Sequence, residues 1–282
     1  MATSITTTYA GEFAGKYISA ALLSADTIEG GGITVKPNVK FKEVMKTLST
    51  NALVKDAACD FADQSTVTLA ERVLQPEEFQ VNLELCKKDF HNDWEAIQMG
   101  YSAFDSLPPS FADFLIGHIA AKVAQKTEEN IWQGATANAG EFNGFEALLA
   151  ADATVVDVTG TTVSAANVIT ELGKVVDAIS TAVYGKEDLY IYVASNVARA
   201  YIRALGGFGA SGLGANGVNN EGTTWFNGGD LAFDGVKLFV CSGLSDNTMV
   251  AAQKGNLFFG TGLLADHNEV KLIDMADLDG SQ

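Results

Sequence analysis

Apolar and polar side chains alternate between residues 79 and 85, with Phe79, Val81, Leu83 and Leu85 set against Gln80, Asn82 and Glu84. A period of two predicts a half-buried strand. Just upstream, Thr66 to Leu74 is rich in β-branched residues and is placed to pair with it as a long hairpin. Pro76 falls in the connection, where its missing N–H costs least. The period then becomes helical over 110–132, where Phe111, Phe114, Leu115, Ile119, Val123 and Ile131 form a stripe with Ala120, Ala121 and Ala124 between them. Ser110 is the expected N-cap, with Asp113 at N3 and Pro108 and Pro109 as punctuation before it. Gly134 is the expected stop. Such a helix is a rod of roughly 35 Å, long enough to act as a spine.

A second helix is predicted from about Ser164 to Tyr184, with Val168, Leu172, Val175, Val176, Ile179 and Val183 as its apolar stripe and Gly185 at its end. The continuous apolar run Leu189 to Ala194 predicts a strand, and Ser195 or Asn196 then caps a short helix ending near Leu205. Val236 to Cys241, Met249 to Ala252, Asn256 to Phe259 and Glu269 to Met275 are further strand candidates, with Gly235, Gly243, Gly255, Gly260 and Gly262 marking turns.

Two stretches lack a core-forming pattern. Residues 1–40 are Thr- and Ala-rich, contain Gly30-Gly31-Gly32 and hold one short helical pattern around Glu12 to Leu23. Glycine runs supply backbone freedom, so this segment reads as an arm lying across a neighbour. Residues 206–230 carry nine glycines and almost no core residue before Trp225. Long loops of this kind are functional or interfacial.

Composition narrows the classes. Of 282 residues, 47% are hydrophobic and 19% charged, enough apolar material for a sizeable core. The net charge of −17 argues against specific DNA or RNA readout, which needs clustered Lys and Arg to displace counterions from phosphates. A surface that lines a nucleic-acid container is compatible with it, because such a surface must not stick. No apolar run is long enough to span a bilayer, and Met1 to Tyr9 shows no secretory pattern. Cys59, Cys86 and Cys241 are odd in number and far apart, so they predict neither a zinc ribbon nor a disulfide framework but small buried hydrophobes.

Candidate chemistry is sparse. Gly212-Leu213-Gly214-Ala215-Asn216-Gly217 matches the dinucleotide glycine string, but a helix precedes it and no helical pattern follows. Asp89, His91 and Asp93 are spaced by two, which fits a solvated turn better than a metal site. His118 lies near the stripe of the long helix and His267 in a polar turn. Asp277 and Asp279 before Gly280 are a fragment of a calcium-loop pattern without its remaining ligands. No nucleophile elbow, HExxH or Walker A lysine loop is present, so no catalytic residue, cofactor site or metal site is assigned and the chain does not read as an enzyme.

The order of parts does carry a resemblance. Val73-Leu74-Gln75-Pro76 leads into Phe79-Gln80-Val81-Asn82-Leu83, then Cys86-Lys87-Lys88-Asp89 and Trp94. Phe111 to Trp132-Gln133-Gly134, with Glu128, Glu129 and Asn130 before Ile131, closes a long helix. Lys254-Gly255-Asn256-Leu257-Phe258-Phe259-Gly260-Thr261 and Glu269 to Asp274 close the chain. This arrangement resembles the major capsid protein of tailed bacteriophages, most convincingly from about 66 to 282. The resemblance implies an α+β fold of the Hong Kong 97 type, with an N-terminal arm (1–40), an extended β-hairpin loop (41–85), a peripheral domain (86–140 and 241–282) holding the spine helix 110–132, and an axial domain (141–240).

Function follows from the same resemblance as an expectation. Copies would assemble into pentamers and hexamers of an icosahedral shell around double-stranded DNA, built in the host cytoplasm and ending in the virion. Partners would be the chain itself, a separate scaffolding protein, a portal and cement proteins, with no membrane. Val67, Leu69, Phe79, Val81, Gly212, Gly214 and Trp225 are the expected inter-subunit contacts. The alternatives are an encapsulin-type shell holding cargo enzymes and, from another class, a nucleotide-dependent enzyme using the loop 206–230.

Overall fold

A computed structural model of the chain describes residues 25–51, 54, 56, 57, 59, 66–83, 109–205 and 231–262, with side chains from 117 onward in the long helix. Among the described residues the chain is mixed α/β. Its elements are α1 (Asp26–Glu29), β1 (Thr34–Lys36), β2 (Glu43–Thr50), β3 (Val67–Leu74), α2 (Pro109–Gln133), α3 (Phe145–Ala151), α4 (Val168–Asp177), β4 (Leu189–Ala194), α5 (Ser195–Leu205), β5 (Ala232–Phe233), β6 (Val236–Cys241), β7 (Met249–Gln253) and β8 (Phe258–Gly260).

β4 organises the body. Its unbroken apolar run is what a strand covered on both faces requires. It lies inside a sheet of order β5-β6-β4-β7, parallel to β6 and antiparallel to β7. Side chains alternate across the sheet, so Tyr190 and Tyr192 share a face with Phe239 and Cys241, their partners or near partners on β6. Leu189, Ile191 and Val193 take the other face. Against that face pack α4 and α5, bringing Val168, Leu172, Val176 and Val197 into the core. The aromatic face meets Trp132 at the end of α2, with Trp132 and Tyr192 ring centroids 5.3 Å apart.

The first described segment belongs to this core. Ala25, Ile28, Ile33 and Val39 are buried, and β1 pairs in parallel with β8. The expectation that residues up to 40 lie across a neighbour is corrected for 25–39. The glycine run has a packing role as well as a conformational one. Gly31 takes φ +66, and a Cβ on Gly30 or Gly32 would sit 2.7 or 2.9 Å from the Phe239 ring. Only bare backbone lets that ring close over the turn.

A buried polar node bolts this segment to α2. The Glu128 carboxylate accepts the Thr27 N–H at 2.9 Å and the Thr27 hydroxyl at 2.5 Å. The same hydroxyl accepts the Trp132 indole N–H at 2.9 Å. Tyr192 donates its hydroxyl to the Gly32 carbonyl at 2.5 Å, and outside the buried node, at the exposed surface, Ser242 donates to Asp26 at 2.5 Å. Buried polar groups are tolerated when satisfied in this way.

Three sequence expectations change at their edges. α2 starts at Pro109, so Ser110 lies inside the first turn rather than capping it; proline suits that turn because its missing N–H has no helical partner there. The helix expected to reach Tyr184 stops at Asp177. Ser180 captures the chain there, since Val183 and Tyr184 donate to its carbonyl and Ala182 to its hydroxyl, a local alternative to helical bonding. The boundary expected at 240/241 runs through the central sheet, because β7 pairs with β4 residue for residue from Met249 to Gln253.

Candidate inter-subunit interface

β2 and β3 form a separate two-stranded ribbon with eight paired rungs, from Glu43 opposite Leu74 to Thr50 opposite Val67. β3 was expected to pair with 79–85. It pairs instead with β2, and the described residues Phe79–Leu83 join no ladder. The reason is register. β2 offers β3 eight consecutive partners, from Glu43 opposite Leu74 to Thr50 opposite Val67. Lys46 had masked β2 by diluting its alternation, yet Lys46 stands opposite Glu71, a favourable cross-strand placement.

The register sorts the ribbon into two unlike faces. One carries Val44 opposite Val73, Leu48 opposite Leu69, and Val67 opposite Thr50. All five apolar members are exposed, Leu48 by 66% and Leu69 by 58%. The other face carries Glu43, Met45, Arg72 and Leu74 near its root, where Glu43, Met45 and Leu74 are partly buried against the body. Phe41, Val54, Phe79, Val81 and Leu83 extend the exposed apolar surface along the flanking segments, and Phe79 reaches the turn at Gly140. Of the seventeen exposed large hydrophobics among the described residues, ten lie between 41 and 83, so this surface is concentrated rather than scattered.

Val67 and Leu69 stand on the apolar face of the ribbon, whereas Phe79 and Val81 lie on the segment that follows β3; all four side chains are exposed. Gly212, Gly214 and Trp225 lie outside the described residues, as do Cys86, Asp89, His91, Asp93, His267, Asp277, Asp279, the glycine string and the helical pattern at Glu12 to Leu23. Sequence reasoning missed Phe41, Val44, Leu48, Val54 and Val73. The period-two positions 44, 46, 48 and 50 carried the signal, which becomes visible once Lys46 is allowed a charged partner across the ribbon.

The remaining candidate chemistry points to packing. Cys241 is fully buried, and burial pushes its thiol far above the ordinary range, the opposite of an activated nucleophile. Desolvation likewise raises Tyr192, which donates to Gly32. Cys59 is exposed, correcting the expectation that the cysteines are buried; its place beyond the end of β2, in the loop of the ribbon, gives it no core to enter. His118 is exposed on α2. Glu141 is held at about 2, first by the Lys126 ammonium at 2.7 Å, then by Asn138 and the Ala135 N–H. Each of these carboxylate partners serves to close the turn after α2. Among the described residues no group of three His, Cys, Asp or Glu converges as a metal site, and no helix is long and apolar enough to cross a membrane.

Compared with protein-family models and with curated proteins, the chain matches none.

Proposed function

We propose that this chain is the repeating subunit of a closed icosahedral shell, a major capsid protein of the tailed-phage type, and that it works by assembly rather than catalysis. The observation that carries this reading is the apolar face of the β2–β3 ribbon, Val44, Leu48, Val67, Leu69 and Val73, left in water by the chain's own body. A lone two-stranded ribbon is marginal in water and needs a third layer to cover it. Finishing the burial of five half-exposed aliphatic side chains gains roughly 1 kcal/mol each. Symmetric repetition turns such modest contacts into a durable closed structure.

The long α2, the four-stranded sheet with two helices on one face, and the protruding ribbon fit the spine, axial and loop parts of that family. The strongly acidic composition suits a shell that encloses DNA without gripping it. Scaffolding, portal and cement proteins are the further partners of this reading, and the virion its location.

Electron microscopy of the purified, overexpressed chain tests it. Spherical shells, tubes or curved sheets are expected. Small compartments filled with protein cargo would move the assignment to an encapsulin-type shell. A dispersed monomer at high concentration, stabilised by a nucleotide in a thermal melt, would replace it with the enzyme reading, since a ligand selective for the folded state raises its melting temperature.

A further inference from the structure

We infer that two ion pairs at the root of the ribbon, Lys36 with Glu43 and Arg72 with Asp152, set the angle at which its apolar face is presented to the next subunit. The inference deepens the shell reading and rests on it for its purpose, while the geometry stands on the lone chain.

The root has a pivot and two stays. Leu74 is the pivot: its side chain lies so close to Gly260 that a Cβ there would sit 2.7 Å away, with Val39 at the same spot. Leu74 pairs with Glu43 on the first rung, and Met45 with Arg72 on the third. Glu43 and Arg72 therefore belong to opposite strands and, by the alternation of the pleat, to the same face, the one turned toward the body. Glu43 receives the Lys36 ammonium at 2.5 Å from the end of β1. The Arg72 guanidinium reaches Asp152, the residue that closes α3. Asp152 is itself held rigid, accepting the Thr154 N–H at 2.9 Å and the Thr154 hydroxyl at 2.7 Å.

One stay thus ties each strand to a different part of the body. Past the third rung every ribbon residue is exposed, so the outer five rungs form a cantilever of roughly 17 Å at the usual rise per residue. Leu48 and Leu69 stand three rungs out, so an angular change of about 15° moves them by roughly 3 Å. Exposed ion pairs are individually weak, and that suits a device that selects among angles without stabilising the fold. Losing one changes the population of the set angle by roughly 2- to 5-fold.

Spin labels at Ser49→Cys on the ribbon and Lys237→Cys on β6, with Cys59 and Cys86 replaced by Ser, read the angle as a distance distribution in the full chain. Cys241 is buried and needs no replacement. The labelled parent is expected to give a narrow distribution at low salt that broadens in 1 M sodium chloride. Arg72→Glu should broaden it at low salt, and Arg72→Glu with Asp152→Arg should narrow it again. Electron microscopy of the unlabelled variants should show uniform particles for the parent and the charge swap, and irregular ones for Arg72→Glu. An unchanged distribution in both Arg72→Glu and high salt overturns the inference. Should Arg72→Glu fail to fold, Glu43→Gln and the salt series read the same angle. If the ribbon angle responds but no variant assembles, the shell reading fails and the hinge stands; if shells form and the angle does not respond, the reverse holds.

Discussion

At the scale of single residues, the Thr27 hydroxyl has the widest reach. It donates to Glu128 and accepts from Trp132, joining side chains about a hundred positions away in sequence. Thr27→Val keeps the shape and removes both bonds, leaving a buried carboxylate oxygen and a buried indole N–H unpaired. The expected loss is about 2–4 kcal/mol in urea unfolding, with Thr27→Ser within about 1 kcal/mol of the parent. A loss for Thr27→Ser with none for Thr27→Val would show that the methyl, not the hydroxyl, matters. Glu141 offers a pH test. Its folded-state value lies near 2 against an ordinary 4.5, so its contribution is complete above 4.5 and disappears as pH falls through 2. The stability difference between parent and Glu141→Gln is therefore expected to be full at pH 6 and to close toward pH 2. A constant difference across that range would mean that the carboxylate charge is not what closes the turn.

At the scale of elements, the ribbon and α2 behave differently from the sheet. β4 is covered on both faces and belongs to the folding core, whereas the outer rungs of β2 and β3 are exposed among the described residues. Leu48→Asp combined with Leu69→Asp should consequently leave the melting temperature of the lone chain within about 2 °C. The same pair should abolish assembly, read by sedimentation or light scattering. A melting temperature lowered by 10 °C or more would place those leucines inside the fold. α2 divides along its length in the same sense. Gly117, His118, Ala121 and Lys122 are exposed, while Ile131 and Trp132 are buried among the sheet aromatics. The helix is anchored at its carboxyl end.

At the scale of the whole molecule, one core gathers pieces from distant parts of the chain. Ala25, Ile28 and Ile33 from the first described segment join Ile131 and Trp132 from α2, the sheet residues and Leu244 in a single cluster. Residues 141–240 thus lack β7, the Trp132 ring and the cover over the aromatic face. Expressed alone, that stretch is expected to show no cooperative melt and poorly dispersed amide resonances. A sharp two-state transition would establish it as an autonomous domain. The same interdependence explains why the boundary drawn at 240/241 cuts a sheet: backbone pairing of β4 with β7 ignores the order in which the parts are read.

What the sequence determined by itself was whatever depends on short-range periodicity. The run at 189–194, the helix ending at Leu205, the strand 236–241 and the long helix near 110–132 all emerge within a residue or two of their observed bounds. Each is an element whose own side chains repeat at 2.0 or 3.6 residues or fill a buried strand outright. The exposure of Val67, Leu69, Phe79 and Val81 could be suspected from the same patterns. Only the tertiary structure decided which strand β3 takes as partner, that residues 25–39 enter the core, and that Thr27, Glu128 and Trp132 meet. Pairing and long-range hydrogen bonding depend on which segments the folded backbone brings within 3 Å of one another, and one-dimensional spacing carries no trace of that.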